Sequence, residues 1–285
     1  MTQTGPTRDK GEQFSRGPVR QPPIEPGRAE QARRIAMLAP PWIPLPPPGY
    51  GGIEEVVALR TEALVDRGND VELFCAPGSS SNAKLRPLLP TSHPESIERA
   101  LFEADHVGRA FGAFDAAAAD DNPFDVVHDH SGYTPLAMTD RIGQPLVHTV
   151  HGPFDERHDS VLRPPRREGQ RRLHQPLTGE LRSGRGEPAR RHFNPIDIET
   201  WPVGFEKQDY LFWVGRFAPE KGAHRAIAVA KQARRRLILA GVVQSRQERY
   251  FANEIQPHID GDQIQFVGEV GGARKRNLFA ERGHS

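Results

Sequence analysis

VGRFAPEKG, residues 214–222, directly follows the apolar run YLFW at residues 210–213. The run predicts a buried strand that ends at Gly215, and the residues after the quoted stretch predict a helix. Arg216 and Lys221 lie in the connection, close to the unpaired amides at the start of that helix. Cations beside helix-terminal N–H groups attract anions, so this unit predicts a diphosphate site. The alternative is a solvated loop followed by an ordinary first-turn lysine, which would oppose the helix dipole.

Two further strand and helix pairs follow this unit. Residues 237–240 predict a strand that ends at Gly241, and a polar helix follows from about residue 245 to 255. Residues 264–267 predict a strand that ends at Gly268, and a last helix begins at about residue 273. Three consecutive strand and helix units predict a parallel sheet, and we expect this sheet to be incomplete at the end of the chain.

The first half of the chain has the same alternation. Residues 35–39 predict a buried strand, and a loop rich in proline and glycine then runs to Gly51 and Gly52. Helical spacing of apolar residues follows up to about residue 67, and residues 71–75 predict a second strand. This order is typical of a parallel α/β sheet, in which ligands bind beyond the carboxyl ends of the strands.

Histidines follow two later strands of this half. Residues 126–127 predict a strand that runs into His128, Asp129 and His130, and residues 146–150 predict one that runs into His151. We expect both groups at the same sheet edge as the glycine loop. Neighbours on an extended segment point to opposite faces and the sequence offers no third ligand, so we predict no metal site. Hydrogen-bonded structural histidines are the alternative reading.

Residues 157–191 are rich in arginine and poor in apolar residues, and they predict no core strand or helix. We therefore divide the chain into a disordered tail at 1–33, a Rossmann-like domain at 34–158, an irregular segment at 159–193 and a second, partial Rossmann-like domain at 194–285. A shifted reading frame is our leading hypothesis for the irregular segment. An RNA or anionic-lipid tether is disfavoured, because residues 157–191 have no aromatic side chains for base stacking.

Composition narrows the class of partner. The chain has 38 Lys and Arg against 37 Asp and Glu, a formal charge of +1, so we expect no specific nucleic-acid partner. The single cysteine, Cys75, lies in a predicted strand and is read as a core residue. The first 32 residues have no apolar leader and no later stretch is long enough to span a bilayer. These features predict a cytoplasmic protein and leave peripheral membrane contact open.

The chain resembles the retaining nucleotide-sugar glycosyltransferases of family four, which have the two-domain GT-B architecture. The residues that carry the resemblance are VGRFAPEKG, GYGGIE at 49–54 and TVHG at 149–152, within the stretches 34–155 and 194–276. The resemblance implies transfer of a sugar from a nucleoside diphosphate sugar to an unidentified acceptor, with no cofactor. A nucleotide-sugar epimerase on the same architecture and a non-catalytic remnant that binds anions are the alternatives.

The resemblance also implies roles for the donor side of the cleft. His151 would contact the transferred sugar. Arg216 and Lys221 would hold the diphosphate and stabilise the charge that develops on it. Gly51 and Gly52 would let the backbone approach the donor phosphates.

The remaining implied roles concern the acceptor and the base. His128 and His130 would lie on the acceptor side, and Gly241, Gly268 and Glu269 would lie in the region of the nucleotide base. A pair of glutamates that the family places further downstream is not reached before the last residue, so we expect a truncated chain that can be inactive as an enzyme.

Overall fold

The structure, a computed structural model, describes residues 31–97, 99–151, 193–205 and 208–281, together with the backbone of 180–183. The described residues from Ala32 onward belong to one compact unit. Residues 1–30 of the predicted disordered tail, Gly152 and most of the arginine-rich segment lie outside the described residues.

A first sheet occupies the N-terminal half of the described chain. Its strands are β1 (Arg34–Leu38), β2 (Asp70–Cys75), β3 (Lys84–Pro87), β4 (Val126–Asp129), β5 (Leu146–Thr149) and β6 (Glu180–Ser183). Its helices are α1 (Gly52–Asp66), α2 (Ala100–Ala119) and the short α3 (Thr134–Ala137).

The strand order of this sheet is β3-β2-β1-β4-β5-β6. The first five strands are parallel, and β6 pairs antiparallel with β5. The chain therefore builds outward from β1 in one direction and then returns to the other side of β1. The carboxyl ends of β1 and β4 frame the crevice at such a reversal, where ligands bind in open α/β sheets.

Helices pack on both faces of the first sheet because the side chains of β1 alternate between them. Ala36 and Leu38 face α2 and its aromatic residues Phe111 and Phe114. The odd-numbered residues of β1 pack on the opposite side with Val57 of α1 and with β2, including the buried Cys75. The predicted strands and the predicted buried position of the cysteine are confirmed.

A second sheet is formed by the C-terminal half of the described chain. Its three parallel strands are β7 (Tyr210–Val214), β8 (Arg236–Ala240) and β9 (Ile264–Phe266), in that order. The helices are α4 (Ala223–Ala233), α5 (Glu248–Tyr250), which continues as a π-helical turn over Phe251–Ile255, and α6 (Gly272–Glu281). The chain is an α/β protein with two Rossmann-like sheets, as predicted.

Three details differ from the sequence analysis. β3 was not predicted, because all four of its residues are exposed and give no apolar signal. β6 lies inside the segment predicted to be irregular, so that prediction was wrong at this point; an edge strand needs only backbone pairing. Lys221 lies in a 3-10 turn, Pro219–Lys221, and not in the first turn of a longer helix, because Gly222 has a φ of 74° and separates the two.

No helix in the described ranges is both long enough and apolar enough to cross a membrane.

Candidate functional site

The loop after β1 delivers a glycine pair to the crevice at the reversal of the first sheet. Gly51 caps α1 with a φ of 154°, and a Cβ there would lie 2.5 Å from Cβ of Pro47. A side chain at Gly51 would therefore clash with the loop itself. Gly52 is exposed, and a Cβ there would meet no atom within 4 Å. The protein leaves open space at Gly52, which a ligand can use.

Glu54, in the first turn of α1, is a buried acid that the sequence analysis did not predict. Its side chain is 5% exposed. Burial raises its pKa from 4.5 to about 7, and a hydrogen bond from its own backbone N–H opposes that rise. The only sequence signal was its place in GYGGIE, since a glutamate in a first helical turn is usually solvated.

The end of β4 and the residues after β5 bring the predicted histidines together. Nδ1 of His130 and Nε2 of His151 are 2.8 Å apart, and the rings of His128 and His130 are 4.3 Å apart. Nε2 of His128 lies 3.2 Å from Nη1 of Arg60 and 2.9 Å from Oγ1 of Thr149. The parallel pairing of β4 with β5 causes this convergence, because both strands end at the same edge.

These histidines differ in how far their side chains are exposed to solvent. His130 is only 1% exposed, whereas His151 is partly exposed. His130, which the resemblance places on the acceptor side, is thus buried and contacts the more exposed His151. His128 is nearly buried as well, and its Nε2 is occupied by Arg60 and Thr149.

The two contacting imidazoles are held neutral. Burial lowers the pKa of His130 well below 6.5, and the neighbouring His128, His151 and Arg60 lower it further. Burial, together with His148 and Arg60, lowers the pKa of His151 to about 4, although Asp129 opposes this shift. Neither ring carries a charge near neutral pH.

Asp129 and His148 form a buried pair that the sequence analysis did not predict. Asp129 Oδ2 accepts a hydrogen bond from Nδ1 of His148, and Oδ1 accepts from the backbone and hydroxyl of Ser131 at 2.9 and 2.6 Å. The register of β4 on β5 sets the two residues opposite each other. This pairing fixes the turn that follows β4.

The carboxyl edge of the second sheet is built from close backbone contacts. The N–H of Gly215 donates to Ala240 at 3.0 Å, and the N–H of Gly241 donates to the carbonyl of Gly268 at 2.8 Å. Gly241 has a φ of 149°, and a Cβ there would overlap with the carbonyl of Gly215. Gly241 and Gly268, which were predicted in one region, are therefore adjacent.

Arg216 is held in place at this edge. Nη2 lies 3.1 Å from Oε1 of Glu220, and Nη1 lies 3.3 Å from the side-chain oxygen of Gln244, which follows β8. The side chain of Arg216 is 18% exposed. A guanidinium fixed by two partners is pre-oriented for an anion, since little rotamer entropy remains to be lost on binding.

Lys221 is less constrained. Its carbonyl accepts a hydrogen bond from Nε1 of Trp213 at 3.1 Å, which ties the turn to β7, and the residue is exposed. Within the ranges that the structure describes, its ammonium group has no hydrogen-bond or ion-pair partner.

The edges of the two sheets meet through the loop after β9. Oε1 of Glu269 accepts a hydrogen bond from the backbone N–H of Tyr50 at 2.6 Å, and a Cβ on Gly49 would overlap with the same carboxylate. A Cβ on Gly271 would overlap with the carbonyl of Pro48. The glycine loop of the first sheet and the Gly268 region of the second are therefore in direct contact.

Among the described residues, no group of three or more His, Cys, Asp or Glu is arranged to hold a metal ion. At the carboxyl edges of the two sheets the described residues offer hydrogen bonding by backbone amides and neutral imidazoles, together with the positive charge of Arg216 and Lys221. Such a set suits a phosphorylated, hydroxyl-rich ligand.

Comparison with known proteins agrees with this geometry. Residues 50–182 match the family described as Glycosyltransferase Family 4. The D-inositol 3-phosphate glycosyltransferase of Mycolicibacterium vanbaalenii is 33% identical over 146 residues, 46% of this chain and 32% of the relative. The enzyme of the same name from Mycolicibacterium smegmatis is 35% identical over 137 residues, 43% of this chain and 32% of the relative. The chain thus matches about a third of the length of these curated relatives.

A solved structure extends the similarity to both sheets. AviGT4, a glycosyltransferase involved in avilamycin A biosynthesis, superposes with a TM-score of 0.56 at 25% identity, over 88% of this chain and 68% of AviGT4. The family match continues to residue 182, beyond the stretch 34–155 in which the sequence analysis places the resemblance. Residues 50–182 are thus similar to Glycosyltransferase Family 4, and the α/β fold of the described chain is similar to that of the glycosyltransferase AviGT4.

Proposed function

We propose that this chain transfers a sugar from a nucleoside diphosphate sugar to an acceptor with retention of configuration. The observation that carries the proposal is the hydrogen bond between Glu269 and the backbone of Tyr50, because it joins the loops at the carboxyl edges of the two sheets. Ligands of open α/β sheets bind at those edges, so one ligand can contact both sheets. The similarity to family four and to AviGT4 supports sugar transfer as the reaction.

The donor diphosphate is proposed to lie against Arg216 and Lys221, with the glycine pair opposite. Arg216 is anchored by Glu220 and Gln244, so it offers a fixed charge, whereas the exposed Lys221 can move to meet the ligand. Fixed cations stabilise the negative charge that develops on the diphosphate as the sugar leaves. This arrangement makes a metal cofactor unnecessary in the proposed mechanism.

The other contacts follow from position in the cleft. His151 is proposed to bind the transferred sugar, since it is the partly exposed member of the histidine group. Gly241, Gly268 and Glu269 are proposed to line the region of the base, and His128 and His130 to support the acceptor side from behind His151. We also propose that the two domains divide near residue 194 and that the protein acts in the cytoplasm. The acceptor is of unknown chemistry.

Calorimetry with UDP, GDP and their glucose and mannose esters tests the donor site. We expect saturable binding of at least one of these probes, and we expect Arg216→Ala and Lys221→Ala each to weaken it about tenfold or more, because each removes a charge-assisted contact. Arg249→Ala is the matched control, since Arg249 is an exposed arginine on α5. Equal affinities for the wild type and all three variants would contradict the proposed site.

Product analysis separates sugar transfer from its alternatives. Transfer requires an added acceptor, whereas an epimerase would convert the bound nucleotide sugar with no acceptor present. A non-catalytic remnant would show neither conversion nor saturable binding of the nucleoside diphosphates. Incubation of the chain with the probe that binds, with and without a panel of hydroxylated acceptors, distinguishes these outcomes.

A further inference from the structure

The His130 and His151 pair contains one feature that the proposed function does not use. Nδ1 of His130 lies 2.8 Å from Nε2 of His151, with the two rings inclined at 30°. The opposite nitrogen of His130, Nε2, is buried and has no hydrogen-bond partner. A buried polar atom without a partner is uncommon and calls for a physical reason.

Each ring in the pair is neutral, because burial and nearby positive charge lower the pKa of both histidines. A neutral imidazole has one N–H and one bare nitrogen. The hydrogen bond between the rings therefore contains a single proton, which belongs either to His130 or to His151.

The buried Nε2 of His130 decides between these two arrangements. If His130 accepted the bond at Nδ1, its Nε2 would carry an N–H with no acceptor in the protein interior. If His130 donates from Nδ1, its Nε2 is only a bare lone pair. Buried N–H groups without an acceptor are rarer in proteins than acceptors without a donor, so donation from Nδ1 of His130 is favoured.

This choice fixes the state of His151. Its Nε2 then accepts the proton, so its own N–H is on Nδ1. Within the described ranges no residue hydrogen-bonds Nδ1 of His151, and the residue is partly exposed. The free end of the pair is therefore a hydrogen-bond donor.

We propose that His130 is a positioning residue that locks His151 as the Nδ1–H tautomer, so that His151 presents a hydrogen-bond donor, and not a base, to the cleft. The ligand group that it recognises is an oxygen that accepts a hydrogen bond, such as a sugar hydroxyl or a phosphoryl oxygen. The identity of that ligand rests on the proposed function, whereas the tautomer does not.

The tautomers can be measured in the full chain without any ligand. Two-dimensional ¹⁵N–¹H NMR of the imidazoles at neutral pH distinguishes protonated from bare nitrogens, and single His→Gln variants assign the rings among the twelve histidines. We expect the N–H on Nδ1 in both His130 and His151. A wild-type spectrum with the N–H of His130 on Nε2 would overturn the proposal.

Two substitutions separate positioning from a merely structural role. His130→Asn keeps an N–H donor near the position of Nδ1, so His151 should stay in the Nδ1–H form. His130→Leu removes that donor, so His151 should become a mixture of tautomers. His258→Asn is the control, because His258 contacts Lys231 on the exposed side of α4. Identical His151 signals in the Asn and Leu variants would contradict the positioning role.

Binding of the nucleotide-sugar probe provides a second readout. We expect His130→Leu to weaken binding about tenfold and His130→Asn to weaken it less. If the tautomers are as stated and no nucleoside diphosphate sugar binds, the proposed function fails while this inference stands. If a probe binds and the tautomers are reversed, this inference alone fails.

Discussion

The carboxylate of Glu269 accepts a hydrogen bond from the backbone N–H of Tyr50, across 219 residues of sequence and at 2.6 Å. Tyr50 immediately precedes the glycine pair at the start of α1, where N–H groups and the helix dipole favour negative charge. The carboxylate of Glu269 thus lies at the same sheet edge as the proposed site of the donor diphosphate, which is also an anion. The same bond also ties the loop after β9 to the loop after β1.

Glu269→Ala should loosen this tie. A hydrogen bond to a charged acceptor contributes about 1.5 to 3 kcal/mol, so the amide of Tyr50 should exchange with solvent about tenfold faster or more. Glu269→Gln keeps an oxygen acceptor and should have a smaller effect. Hydrogen exchange read by NMR measures the change, and Glu248→Ala, an exposed glutamate on α5, is the control. An unchanged Tyr50 amide in the alanine variant would show that the contact does not hold the loops together.

Gly52→Ala should separate ligand binding from folding. The protein has room for a Cβ at Gly52, and alanine is better than glycine in a helix by up to about 1 kcal/mol, so stability should stay equal or rise. Binding of the nucleotide-sugar probe should weaken if the ligand uses the open space. Gly112→Ala is matched, because Gly112 is an exposed glycine of α2 with equal room.

The comparison between these two glycine variants is the decisive one. Thermal unfolding and calorimetry should show two stable proteins, of which only the Gly52 variant binds the probe poorly. Full binding by Gly52→Ala would remove the glycine pair from the proposed donor site.

Gly241→Ala should be strongly destabilising. A methyl group there would overlap with the carbonyl of Gly215, and the φ of 149° is itself unfavourable for a residue with a side chain. The close approach of these two backbones would have to open, so a loss of about 3 kcal/mol or more is expected in denaturant unfolding. Gly261→Ala has a positive φ of 78° but open space, and it should cost only about 1 to 2 kcal/mol. Similar losses of stability in both variants would mean that backbone strain, and not the overlap with Gly215, destabilises Gly241→Ala.

Apolar runs predicted most strands of both sheets because buried parallel strands need such runs on both faces. Residues 35–39 and 210–214 are examples, and β1 and β7 coincide with them to within one residue. The edge strands β3 and β6 gave no signal, since backbone pairing alone forms them. Sequence therefore predicted the centre of each sheet better than its margin.

The candidate site divides in a similar way. Strand ends predicted that His128, His130 and His151 converge, because parallel topology determines where a strand ends. The sequence could not predict the burial of His130 or the partner of Asp129, because both depend on the register between strands. It could not predict the contact of Glu269 with Tyr50 either, because that contact depends on how loops from different sheets meet. Sequence patterns therefore predict which residues lie at the edge of a sheet, but they do not predict which of those residues contact each other.

Glu54→Gln should change how stability depends on pH. Burial raises the folded pKa of Glu54 from 4.5 to about 7, so its charged form is less stable in the folded protein than its neutral form. The contribution of Glu54 is therefore fully present below about pH 4.5 and is lost as the pH rises through about 7. Gln is neutral at every pH, so the variant should match the wild type near pH 4 and exceed it near pH 8. The gain has an upper limit of about 3 kcal/mol, from about 1.4 kcal/mol per pKa unit. Glu55→Gln is the neighbouring control, because Glu55 is exposed and its side chain stays hydrated in both the folded and the unfolded protein. Urea unfolding across this pH range measures both variants, and a constant difference between Glu54→Gln and the wild type would show that Glu54 is not the buried acid of this loop.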